Sequence, residues 1–361
     1  VLVRIVVAMS GGVDSSVAAA LLQEQGHEVI GVHMKLHDAP TPSGAPEKRC
    51  CGLDDAMDAR RVADRLGIPF YVMNLREAFQ KAVIDDLTSA YVRGLTPNPC
   101  VQCNGVLKFK VLLARAVALG ADRLATGHYA QIGPGPSLQV AVDTSKDQTY
   151  FLYPVTQHAL EKTLFPLGGM TKPEVRAHAE RFSLITAHKP ESQEICFVAD
   201  DDHAKFVREA HPEIDASGEI VDEDGQVLGH HDAYYRFTVG QRRGLNVALG
   251  RPAYVVRVEP ESRRVVLGFE DRILHAGLVA MNFNWYERPD PGRVVHARIR
   301  HRGSLIRCRV GEGDRADVHF LEPARAVSPG QAVVFYDDDR VLGGGTIVRA
   351  IESTAAVEAH P

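Results

Sequence analysis

SGGVDSS, Ser10 to Ser16, follows directly on the apolar run VLVRIVVAM. Two glycines, one carboxylate and three hydroxyls stand where a buried strand should end. After them Val17, Leu21 and Leu22 fall at helical spacing, and Gly26 fits a helix stop. A glycine turn between a parallel strand and a helix gathers backbone N–H groups and the positive end of the helix at one point. That is a phosphate cradle. The stretch has no Lys-Ser or Lys-Thr pair, so it is not a Walker A loop, and it lacks the G-x-G-x-x-G of dinucleotide folds. Taken without its flanks it would read equally well as a glycine turn with a Ser/Asp helix cap.

Working outward, EVIGVHM is a second strand, and LDDAMDARRVADRLG is a helix with Ala56, Ala59, Val62, Ala63 and Leu66 along one side. PFYVMNL is a third strand, and a helix is expected from about Arg76 to Arg93, stopped by Gly94. Another follows in VLKFKVLLARAVALG, and DRLATGHYA is a strand that ends in a glycine turn. Thr171 with Glu174 makes a capping box for a helix through Arg181. Strands alternating with helices predict an α/β fold with a parallel sheet. From about Ile273 the chain turns nearly all β: GLVAMNF, VVHARIR, SLIRCRV, ADVHFL and AVVFYD, separated by Gly, Pro and Asp turns. Short strands at near-regular spacing predict a small barrel or sandwich. The expected layout is an α/β domain over 1–197, a small connecting α+β domain over 198–272 and a C-terminal β-barrel over 273–361.

The 361 residues are 45% hydrophobic and 24% charged, the balance of a globular chain of two or three domains. The apolar runs are strand-sized and the N-terminal stretch lacks signal-peptide features, so a cytoplasmic protein without membrane contact is expected. The net charge of −5 conceals an asymmetry. Thirteen acids stand against Lys205 and Arg208 between Glu191 and Asp232, whereas Arg293 to Val310 holds six arginines and no acid. The arginine segment suits a polyanion. The acidic one is expected to face solvent or a protein partner.

Six cysteines in a chain this long do not make a secreted disulfide framework. Cys100 and Cys103 lie in TPNPCVQCNG, ahead of the expected helix, and Cys196 lies far downstream in SQEICFV. A helix N-terminus after Cys103 would lower its thiol pKa, and thiolate is the reactive form. Cys308 is expected in the barrel core, and the Cys50–Cys51 doublet is expected to be structural.

SGGVDSS resembles the pyrophosphate-binding loop of ATP pyrophosphatases, which split ATP between the α- and β-phosphates and place AMP on a substrate oxygen. Over nearly the whole chain the sequence further resembles the tRNA-specific 2-thiouridylase family. The resemblance rests on MSGGVDSS, the TPNP-x-x-x-CN loop, ATGHY (125–129), KDQTYFL (146–152), the ICF around Cys196, TVGQRRGL (238–245), SPGQAVVFY (328–336) and LGGG (342–345). It implies that ATP activates the 2-carbonyl of the wobble uridine of tRNA and that sulfur replaces the oxygen. Cys196 matches the persulfide carrier and Cys103 the cysteine that releases the sulfur and forms a disulfide with the first. Ala8, Met9, Ser10, Gly11, Gly12, Val13, Asp14 and Ser15 match the ATP loop, with Asp14 near Mg²⁺. Met34 and Gly127 match adenosine-contacting positions. Asn98, Pro99 and Cys100 match the segment that faces the target base. His128, Lys146, Asp147, Gln148, Arg300, His301 and Gln331 match tRNA-contacting positions. The implied partners are tRNA and a persulfide sulfur-donor protein.

One departure stands out: Cys100 occupies a position where some family members carry an Asp. Three cysteines in one pocket have two uses, a persulfide pair with a bystander or three ligands of an iron–sulfur cluster with one open iron. The persulfide pair is the favoured expectation. Two other functions share these features: a ligase of the same loop class with an amine nucleophile, and an RNA-binding iron–sulfur or redox sensor.

Overall fold

The computed structural model describes residues 2–37, 53–190, 195–198 and 202–353. The Cys50–Cys51 doublet lies outside them. The chain divides into two compact units, one of residues 1–84, 99–201 and 339–341, the other of 85–98, 202–338 and 342–361.

The first unit is built on a parallel sheet. β1 (Arg4–Ala8), β2 (Glu28–Lys35), β3 (Phe70–Asn74), β4 (Arg123–Thr126) and a two-residue strand, Thr163–Leu164, lie in the order β3-β2-β1-β4 and then the short strand. β1 buries four of its five residues, as a strand covered on both faces must. α1 (Val13–Glu24) starts after Gly12, whose extended backbone serves as N-cap, and buries an unbroken run from Val17 to Leu22. Its Ala18-Ala19-Ala20 core lets neighbours approach closely. The helix closes at Gly26, with φ +86° and its N–H on the carbonyl of Gln23. α2 (Leu53–Leu66) supplies Ala59 and Val62 to the same core, and the helix Lys172–Arg181 supplies Val175 and Ala179. Thr171 N–H donates to Glu174 at 2.7 Å, so the expected capping box is present.

Two helices depart from expectation. The one expected from Val106 begins at Pro99 and runs to Ala118, with a π-helical stretch from Cys103 to Leu112. Proline needs no N–H partner at the first helical position, so a residue that stiffens a loop opens a helix instead. The segment 76–92 likewise carries a π-turn at Gln80–Ile84.

The second unit holds two β modules. Strands Gly218–Val221, Val227–His231, Tyr254–Glu259 and Arg264–Gly268 form a four-stranded sheet. The acid-rich stretch is paired there with arginines: Arg208 and Arg236 with Asp232, Arg263 with Asp215, Arg264 with Glu219 and Arg272 with Glu223. Six further strands follow, Leu274–Trp285, Val295–Arg298, Ile306–Val310, Arg315–Arg325, Ala332–Asp337 and Arg340–Glu352. The first pairs with both the fourth and the last, so the six close into a barrel. Leu278, Val295, Cys308, Val318 and Phe335 fill its interior. Burial pushes the Cys308 thiol up to about 12, as fits an inert core residue. Among the described residues no helix is long and apolar enough to cross a membrane.

Candidate active site

The sheet order reverses direction between β1 and β4, and ligands in such sheets bind beyond the strand C-termini at that point. The chain leaves β1 into Ser10–Ser16 and leaves β4 into Gly127. A Cβ on Gly127 would stand 2.6 Å from the Ser15 nitrogen, so the ATGHY turn lies directly against the start of α1. Gly11 has φ +81°, and a Cβ there would stand 2.3 Å from the Asp55 carbonyl oxygen. Both positions require glycine.

The hydroxyls shape the loop. The Ser15 hydroxyl donates to the Gly12 carbonyl at 3.2 Å and accepts from the Ser10 N–H at 3.1 Å. Ser16 donates to the Gly12 carbonyl at 2.8 Å. The first N–H groups of α1 lack intrahelical acceptors and point out of the helix start. His33, buried on β2, sits with Nδ1 2.9 Å from the Met9 carbonyl oxygen, and burial lowers its pKa. Met34, half-exposed at the end of β2, lies in register with Met73 of β3.

Asp14 has partners that the sequence did not announce. Lys172 Nζ lies 2.8 and 2.9 Å from its two carboxylate oxygens, and the Tyr129 hydroxyl donates to it at 2.9 Å. Lys172 is buried and lies over the Tyr129 ring. It is also the first residue of its helix, where the dipole disfavours a cation, and that misplacement was the signal available in the sequence.

The same unit holds three thiols, exposed Cys100 and half-buried Cys103 and Cys196. Cys100 and Cys196 lie close enough to Cys103 to disfavour its ionisation. Burial raises the Cys103 thiol to about 11, with a smaller opposing effect from Lys108. The expected lowering by a helix N-terminus fails for a geometric reason: the helix begins at Pro99, so its first turn carries Cys100 and not Cys103.

The other expected contact residues divide. Asp147 is buried and accepts from Thr149 Oγ1 at 2.7 Å and the Ala141 N–H at 3.2 Å. Gln148 accepts from the Tyr129 N–H at 2.9 Å. These two shape the turn, while Lys146 is half-exposed. His128 has Nδ1 2.7 Å from Thr126 Oγ1 and Nε2 3.2 Å from Lys108 Nζ. Asn98, Arg300, His301 and Gln331 belong to the second unit. There Arg300 donates to the carbonyls of Ala326 (2.9 Å) and Val239 (3.2 Å), and Gln331 to that of Thr96 (3.1 Å).

A parallel sheet with a glycine loop and a helix start at its switch point is the architecture of nucleotide-binding α/β proteins, and the SGGVDSS sequence of the loop resembles that of the ATP pyrophosphatase class. Family models agree in order along the chain: the tRNA methyl transferase HUP domain matches residues 3–200, the tRNA methyl transferase PRC-barrel domain 204–269 and the aminomethyltransferase beta-barrel domain 275–347. The tRNA-specific 2-thiouridylase MnmA of Geobacter metallireducens is 53% identical, over 96% of this chain and 97% of the relative. Those of Geotalea uraniireducens and Carboxydothermus hydrogenoformans are 51% and 48% identical, over 98% and 96% of this chain and 97% and 98% of the relatives. The chain belongs to the tRNA-specific 2-thiouridylase MnmA family.

Mg²⁺ carried by ATP phosphates needs only one or two protein carboxylates. Asp14, beside the loop amides, is such a carboxylate, but Lys172 holds both its oxygens, so Mg²⁺ would bind there only by displacing the lysine. An iron–sulfur cluster needs a ligand set, and among the described residues no group of three or more His, Cys, Asp or Glu side chains is arranged to hold a metal ion. The three thiols are near one another without forming such a set.

Proposed function

We propose that the protein is an ATP-dependent tRNA sulfurtransferase that converts the wobble uridine to 2-thiouridine. The observation that carries this reading is that one unit holds both the Ser10–Ser16 cradle at the sheet's switch point and the Cys103–Cys196 thiols. The helix-start amides of Gly11 to Val13 receive the β- and γ-phosphates. Met34 and Gly127, at the ends of neighbouring strands, receive the adenosine. The uridine O2 attacks the α-phosphorus, pyrophosphate leaves, and the oxygen becomes part of a good leaving group, AMP.

Cys196 takes a persulfide from a sulfur-donor protein. The Cys103 thiolate attacks the Cys196 sulfur, forming a Cys103–Cys196 disulfide and expelling hydrosulfide. The hydrosulfide adds at C2, AMP departs, and an external dithiol reduces the disulfide for the next cycle. Exposed Cys100 and half-exposed Lys146 contact the tRNA.

The test is purified protein with ATP, tRNA and a persulfide donor. AMP, pyrophosphate and 2-thiouridine should form together. ADP and phosphate would overturn the activation step. Full turnover by Cys103→Ser would point instead to an amine-type ligase, which needs no thiol.

A further inference from the structure

The helix that carries Cys103 is π-wound from Cys103 to Leu112, and Lys108 stands five residues after the cysteine. In an α-helix five residues at about 100° each would leave Lys108 roughly 140° round from Cys103, on another face. A π-turn closes its hydrogen bond over five residues, so it returns the fifth residue close to the face of the first. The winding therefore brings an ammonium round toward the thiol.

That ammonium is held in place by its neighbours. Lys108 Nζ lies 3.2 Å from His128 Nε2. An ammonium can only donate, so Nε2 must be the bare acceptor and Nδ1–H must donate to Thr126 Oγ1, 2.7 Å away. The His128 ring is fixed between Phe109 and Phe165, with centroids at 5.9 and 6.1 Å. Burial and the Lys108 charge keep His128 neutral, which preserves its acceptor. Besides Lys108, the titratable groups that act on Cys103 are Cys100 and Cys196, and both oppose its ionisation.

We propose that Lys108 is the positioning residue that stabilises the Cys103 thiolate, held toward it by the neutral His128–Thr126 relay. This rests on the reading of Cys103 as the sulfur-releasing thiol. Ionisation passes the Cys103 proton to solvent and leaves the negative charge on Sγ in the field of the Lys108 ammonium. The relay also gives ATGHY a second duty: Gly127 abuts the nucleotide loop while His128, the next residue, orients the lysine.

The test reads the thiol without ATP or tRNA, so it can fail while the sulfurtransferase reading stands. The rate of Cys103 alkylation by iodoacetamide is followed by peptide mass spectrometry from pH 6.5 to 10. Lys108→Met should slow it roughly tenfold at fixed pH, the effect of removing one nearby opposite charge. Lys108→Arg should retain most of the wild-type rate. His128→Gln, which keeps Lys108 but loosens its aim, should fall between them, and it serves as the second probe if Lys108→Met does not fold. Folded variants that alkylate at the wild-type rate would overturn the proposal. So would an equal slowing in Lys108→Arg and Lys108→Met, which would mark a packing role. In thiolation assays Lys108→Met should lower kcat with KM for ATP unchanged.

Discussion

Lys172 Nζ bridges both carboxylate oxygens of Asp14, at 2.8 and 2.9 Å, across 158 residues of sequence. The contact ties the start of one helix to the nucleotide loop at the start of another. Before ATP arrives, the lysine neutralises the carboxylate. If Ser10–Ser16 receives the β- and γ-phosphates as proposed, the lysine offers a positive charge beside the departing pyrophosphate. Lys172→Met should therefore reduce AMP formation more than tenfold while tRNA retention on filters stays near wild type. Because Asp14 is about a third exposed, the loss of stability should be modest, about 1–3 kcal/mol by urea titration. Undiminished pyrophosphate release from a folded variant would make the pair purely structural.

Gly127 is the point where the β4 turn touches the cradle. A Cβ there would meet the Ser15 nitrogen at 2.6 Å and the Asp14 carbonyl carbon at 2.7 Å, and backbone cannot swing aside as a side-chain tip can. Gly127→Ala should push the first turn of α1 off its position and weaken ATP binding at least tenfold by calorimetry. The Gly135→Ala control, which strains only its own turn (φ +65°) and meets open space at its Cβ site, should leave ATP affinity alone. Equal affinities in Gly127→Ala and wild type would show that the nucleotide does not use this junction.

The cradle and its helix were legible in the sequence because they are local: a strand, a glycine turn and an alanine-rich helix within about 25 residues. The barrel was legible for the same reason, as Arg307, Cys308, Arg309 and Val310 alternate exposed and buried along one strand. Lys172 and Lys108 were not legible. The first meets its partner only through the tertiary fold. The second depends on π-winding, which shifts a residue to another face without any change of composition. Asp147 misled in the opposite direction, since an acidic residue in a polar turn reads as solvated and here it caps buried backbone.

Acid should destabilise the protein through its buried histidines. His33, His128 and His275 all have pKa values lowered by burial. Neither ring nitrogen of His275 has a hydrogen-bond partner among the described residues. In each case the folded state resists a proton that the unfolded state takes up near pH 6.5. Stability is then fully present above about pH 6.5 and is lost as pH falls below it, by up to about 1.4 kcal/mol per pH unit for each histidine. Urea midpoints at pH 7.5, 6.5 and 5.5 should show the decline. His275→Leu should flatten it, and an unchanged slope in that variant would assign the acid sensitivity elsewhere.

The arginine segment of the barrel separates into structural and available charges. Arg293 pairs with Asp337 at 2.7 Å and Glu287 at 3.4 Å, and Arg298 lies over the Tyr336 ring at 5.2 Å. Arg300 donates to the carbonyls of Val239 and Ala326. The exposed side chains of the set include Arg302 and Arg307. If this face binds the tRNA backbone, those two meet phosphate, because a guanidinium already committed to backbone carbonyls has fewer donors to give. Removing one phosphate-bound charge should shallow the dependence of log affinity on log salt by about 0.7–0.9. Arg302→Gln with Arg307→Gln should therefore reduce that slope by roughly 1.5, with the melting temperature held. Arg300→Gln should do the reverse, lowering the melting temperature with little change of slope. A slope that follows Arg300 and ignores the other two would move the RNA-binding surface to the loop junction that Arg300 now braces.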